Sequence, residues 1–92
     1  EKNARKLVLA ADGAYGVTCP KELEYGAMML EFDYVGEGTV TVNGKAGYAL
    51  SSETEQHFLV GFRSLRLAPS FEVKAGDGGC TLKGLRVRFY EI

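Results

Sequence analysis

From residue 84 to residue 92 the chain reads Gly-Leu-Arg-Val-Arg-Phe-Tyr-Glu-Ile, with apolar and polar side chains alternating from Leu85 through Tyr90. A period of two belongs to a β-strand with one buried face and one wet face. Leu85, Val87 and Phe89 are expected to enter a core. Arg86, Arg88 and Tyr90 then line up on the opposite face, where they meet either bulk water or a ligand.

The rest of the chain supports the same class. Glycine is abundant (12 residues) and proline scarce (2), and turn signals recur at the spacing of about eight to twelve residues expected of all-β sandwiches. Residues 7–10 read as a first strand ended by Asp12-Gly13, and residues 15–18 as a short extended piece. Pro20 to Tyr25 is read as a loop or a single helical turn, stopped by Gly26. From Ala27, Met28, Leu30, Phe32 and Tyr34 share one face, while Met29, Glu31, Asp33 and Val35 share the other, as in a central strand with an acidic outer stripe. Thr39 to Val42, Asn43-Gly44 and Lys45 to Leu50 form a hairpin signature, since Asn-Gly supplies the two positive φ values of a type I′ turn. Residues 51–56 read as a polar loop, and residues 57–62 as a mostly apolar strand buried on both faces. Residues 71–75 alternate again before a Gly-Asp-Gly-Gly turn at 76–79. Leu82 and Leu85 are out of step by one residue with Gly84 between them, the pattern of a β-bulge. The expected architecture is an antiparallel β-sandwich, of jelly-roll or immunoglobulin-like type, with about eight short strands in one domain over residues 1–92.

Size and charge narrow the function classes. A chain of 92 residues holds one modest core. Its net charge of −1 excludes the excess of Lys and Arg that nucleic-acid binding requires. No apolar run approaches the roughly 18 to 20 residues of a membrane span. The chain opens on Glu1 without Met, which fits a module of a longer polypeptide. Cys19 and Cys80 allow one disulfide closing a loop of about 60 residues, worth roughly 4 kcal/mol in the chain-entropy model. Two buried free thiols are the alternative. A disulfide would point to an extracellular or cell-surface setting.

Catalytic signals are weak. His57 is the one histidine and lies in an apolar run, and no nucleophile elbow, paired zinc spacing or P-loop is present, so the chain is expected not to be an enzyme. Glu31 and Asp33, two apart on one strand, point to the same side, where they serve either as solvated carboxylates paired across strands or as ligand acceptors. Asp12-Gly13 and Asp77-Gly78-Gly79 lack the density of oxygen ligands of an all-protein Ca²⁺ site, so no cofactor is expected. Five tyrosines and no tryptophan leave Tyr15, Tyr25 and Tyr48 in or beside loops, where a ring with a polar tip either packs or stacks on a sugar.

Residues 26–34 (Gly-Ala-Met-Met-Leu-Glu-Phe-Asp-Tyr), 38–44 (Gly-Thr-Val-Thr-Val-Asn-Gly) and 82–87 (Leu-Lys-Gly-Leu-Arg-Val) together resemble the small jelly-roll carbohydrate-binding modules appended to polysaccharide-degrading enzymes. The resemblance implies non-catalytic binding that holds a linked catalytic domain near its polysaccharide, a tethering effect. Those modules commonly stack tryptophan on the sugar. With none here, a glycan site would rest on tyrosine and charged partners, and the expected set is Arg86, Arg88, Tyr90, Glu31, Asp33 and Tyr48. Arginine pairs bidentately with uronic-acid carboxylates, so an acidic or plant cell-wall glycan is the expected ligand. The competing reading is a structural or protein-interaction β-sandwich domain of a phage tail, surface or adhesive protein.

Overall fold

The computed structural model describes residues 6–91, so Ile92 of the expected last strand lies outside the described residues. Five strands form one antiparallel sheet: β1 (Lys6–Leu9), β2 (Ala14–Thr18), β3 (Leu23–Val42), β4 (Ala46–Leu67) and β5 (Ser70–Glu91). Their order is β1-β5-β3-β4, and β2 joins the same edge of the sheet by pairing with β5. β3 is therefore central, as the acidic stripe suggested. It is flanked along nearly its whole length by β4 and β5.

Three of the strands are far longer than expected. A straight strand of 20 residues would reach roughly 66 Å at about 3.3 Å per residue, yet the molecule is at most 39 Å long. The long strands therefore bend back on themselves, and the places where loops were expected are the bends. Residues 51–56 are not a free loop but part of β4, where Gly36 pairs with Ser52 and Tyr34 with Gln56, leaving two extra residues on β4. Residues 76–79 likewise stay within β5, where Gly36 opposes Cys80 and Gly38 opposes Ala75. The architecture thus has five continuous strands rather than about eight short ones. The helical turn at residues 20–25 is absent, because β3 begins at Leu23.

The bends let a single apolar face close into one core. Met28, Leu30, Phe32, Val40 and Val42 of β3 cluster with Leu50 of β4 and with Phe71, Val73, Ala75, Cys80 and Leu82 of β5. No charged or polar side chain is buried among the described residues. On β5 the inward set changes from odd residues (Phe71, Val73, Ala75) to even ones (Cys80, Leu82), then back to Leu85, Val87 and Phe89. The second change is the bulge expected at Gly84: Glu31 opposes Arg86 while Asp33 opposes Lys83, which leaves one extra residue on β5.

The hairpin turn is of the expected kind. Asn43 and Gly44 have φ values of 54° and 72°, and the Lys45 amide donates to the Val42 carbonyl at 3.0 Å. Asn43 also extends the β3–β5 ladder, accepting from the Ser70 amide at 3.0 Å through Oδ1 and donating its own amide to the Ser70 carbonyl at 2.9 Å.

The cysteines are free and buried. Cys19 follows β2 and donates its amide to Pro69, next to the start of β5, whereas Cys80 sits halfway along β5 in the core. Burial raises the pKa of the Cys80 thiol above its ordinary value.

Candidate ligand-binding face

The outward face of the sheet carries the functional candidates. Because the β3 side chains that point into the core are the even ones, Ala27, Met29, Glu31 and Asp33 point out. β5 sets Tyr90 opposite Ala27, Arg88 opposite Met29 and Arg86 opposite Glu31. Met29, Glu31, Arg86, Arg88 and Tyr90 line an open groove of about 200 Å³. Tyr90 is 43 % and Met29 41 % exposed, so a flat ring and a thioether border the two guanidiniums. Neither Arg86 nor Arg88 pairs with a carboxylate among the described residues. Two arginines beside an aromatic ring, not neutralised by their own sheet, are suited to a planar anionic or polyhydroxyl ligand.

The carboxylates have another partner, one that no spacing in the sequence reveals. β4 places His57 opposite Asp33 with Glu31 on the diagonal. His57 Nδ1 lies 2.8 Å from Asp33 Oδ1, and Nε2 lies 3.0 Å from Glu31 Oε2. A carboxylate oxygen facing each ring nitrogen favours the imidazolium form, in which both nitrogens carry a proton. The His57 pKa is accordingly raised above 6.5, chiefly by the hydrogen bond to Asp33 and further by the charges of Asp33 and Glu31, against some desolvation. Residues 57–62 are thus not buried on both faces: β4 is the edge strand, His57 is exposed, and Leu59 is 55 % exposed. A sheet interior was expected from the apolar run, but only the even residues Phe58, Val60 and Phe62 pack on the core.

The expected residues therefore separate into three groups. Arg86, Arg88, Tyr90 and Glu31 meet in the groove. Asp33 lies one step along β3, held by His57. Tyr48 lies elsewhere, its ring packed edge-on against Phe58 at 5.7 Å, and Phe58 in turn stacks on Phe32 at 5.0 Å. Tyr48 is thus a packing residue at the margin of the core, 38 % exposed. Tyr15 packs in a similar way near Phe71, at 6.4 Å, and Tyr25 is 53 % exposed on β3.

A wider depression of about 570 Å³ opens at the bend, lined by Val35, Glu37, Ser51, Ser52, Glu53 and the glycines opposite. It has carboxylates and hydroxyls but no ring on which a sugar could stack. No group of three or more His, Cys, Asp or Glu with metal-binding geometry occurs among the described residues. Among the described residues no helix is long and apolar enough to cross a membrane. In comparisons with known proteins, no protein-family model matches the chain and no curated protein matches it.

Proposed function

We propose that this chain is a non-catalytic carbohydrate-binding domain of β-sandwich type, which holds a linked catalytic domain at a polysaccharide outside the cell or at its surface. One observation carries the reading: Arg86 and Arg88, with no ion-pair partner among the described residues, stand beside the exposed ring of Tyr90 in an open groove on a sheet face. Ring stacking supplies an apolar platform for a pyranose face, and the guanidiniums donate in a fixed fork to hydroxyls or carboxylates. An open groove admits a chain end or a chain interior equally, as a polymer ligand requires. The test is retention of the purified domain on insoluble and soluble polysaccharides, neutral and acidic, with Arg86→Ala, Arg88→Ala and Tyr90→Ala alongside. Loss of retention in all three variants, each with an unchanged urea midpoint, supports the site. Retention undiminished in all three refutes it.

A second reading, a structural or interaction module, is favoured by the free edge. β4 offers 22 residues of strand with no partner on its outer side among the described residues, and Leu59 and Leu65 are 55 % and 65 % exposed along it. Unprotected edges add strands from other chains. A discrete oligomer in light scattering, dispersed by Leu59→Lys, together with no polysaccharide retention, would favour this reading.

A further inference from the structure

We propose that His57 is the specificity-determining residue of the groove: by holding Glu31 and Asp33 it keeps Arg86 and Arg88 available to a glycan bearing carboxylates. The inference rests on the glycan-binding reading and names the ligand class of that same site.

Glu31 belongs to two neighbourhoods at once. It lines the groove, directly across the ladder from Arg86, at a cross-strand separation of about 4.5–5.5 Å between Cβ atoms. An extended carboxylate so placed is the natural partner for that guanidinium and would compete with any anionic ligand. Yet its Oε2 is turned the other way, 3.0 Å from His57 Nε2, and no Glu31–Arg86 ion pair forms. The second ring nitrogen is tied to Asp33 at 2.8 Å, which fixes the imidazole plane so that Nε2 faces Glu31. A ring held at both nitrogens positions the carboxylate, much as a second partner orients a metal-ligating histidine.

The charge balance follows directly. With His57 protonated, Glu31, Asp33, His57, Arg86 and Arg88 carry three positive charges against two negative, and the groove favours an anion. With His57 neutral, one nitrogen of the ring can no longer donate, the charges balance, and Glu31 is free to turn to Arg86. The other charged groups around the ring are few. Glu55 lies two residues before it on β4, and Lys83 of β5 stands opposite Asp33; the two pair at 3.6 Å, so together they add one charge of each sign and leave the balance unchanged. Uronate carboxyls, with pKa values near those of ordinary carboxylates, stay ionised over the range in which histidine titrates.

The experiment measures affinity for polygalacturonate, with a neutral galactan as the second arm, at pH 5.5 and pH 8.5 and constant ionic strength. The proteins are the wild type, His57→Gln, Glu31→Gln and the double variant, each checked for an unchanged circular dichroism spectrum. Exposed charge pairs of this kind change affinity by about two- to fivefold. The wild type is expected to bind the acidic polymer more tightly at pH 5.5 by that factor. His57→Gln is expected to bind weakly at both pH values, while Glu31→Gln and the double variant bind tightly at both. That rescue separates the proposal from a merely structural role for His57. A wild type with no pH dependence, a His57→Gln that retains it, or a double variant as weak as His57→Gln overturns the inference. Equal or better retention of the neutral galactan overturns it while leaving the glycan-binding reading intact. Retention of neither polymer at either pH overturns both.

Discussion

Replacing Gly36 with Ala should be among the most damaging single-methyl changes in this protein. Gly36 borders a register shift of β3 against β4 on one side and another against β5 on the other. Its φ of 115° lies outside the left-handed region that other residues occasionally visit. A Cβ added there would sit 2.5 Å from the Gly79 carbonyl oxygen and 2.9 Å from the Cys80 Cα. Both are backbone atoms of the paired strand, so no rotamer change relieves the overlap. Backbone strain of about 1–3 kcal/mol and overpacking of about 1–3 kcal/mol together predict a loss of roughly 2–6 kcal/mol. A domain of this size is stable by roughly 5–14 kcal/mol, so anything from about a seventh to the whole of the margin would go. A loss of about 3 kcal/mol lowers Tm by roughly 12–24 °C for a domain under 100 residues. The assay is urea unfolding followed by circular dichroism, with Gly78→Ala as control. Gly78 has open space around it, nothing lying within 4 Å of an added Cβ, and no positive φ. The control should shift the midpoint by no more than about 0.5 kcal/mol. Equal effects at Gly36 and Gly78, or a loss below about 1 kcal/mol at Gly36, would refute the reasoning that the bend depends on this close backbone approach.

Three further outcomes follow from the packing and the titrating groups. Leu30→Ala, at a fully buried position in the centre of β3, should destabilise by about 2–5 kcal/mol in the same urea assay, whereas Arg86→Ala should stay within about 0.5 kcal/mol because its guanidinium makes no ion pair among the described residues. The His57 pKa is raised on folding, so the stability contributed by its two carboxylate contacts is fully present below pH 6.5 and is lost as pH rises through the folded value; urea midpoints of wild type and His57→Gln should converge toward alkaline pH, and a difference that grows with pH would contradict the geometry. Thiol titration should find Cys19 and Cys80 both free, slow to react in the folded protein and fast in urea, with Tm unchanged by reductant.

Much of this molecule is legible in local chemistry. Alternation along residues 85–90 places Arg86, Arg88 and Tyr90 on the outer face with Leu85, Val87 and Phe89 turned inward, as found, because side-chain direction in a strand depends only on parity. Asn43-Gly44 marks its turn through backbone preference alone, and Gly84 marks its bulge because two inward leucines three residues apart require one. Local chemistry does not carry register. Counting from the Asn43-Gly44 turn, unbroken pairing would put His57 opposite Glu31, and it is the two extra residues of β4 between Ser52 and Gln56 that move it opposite Asp33 and allow it to hold both carboxylates. Counting from Val42 opposite Phe71, unbroken pairing would put Leu82 opposite Glu31, and only the extra residues at 76–79 and at the Gly84 bulge bring Arg86 there. Residues 51–56 and 76–79 look like loops because they are polar or glycine-rich, yet in the fold they remain strand and absorb the bend. The groove thus owes its residue types to the alternating pattern, which is local, and its assembly to bends and register shifts, which depend on how long strands fold back over one shared core.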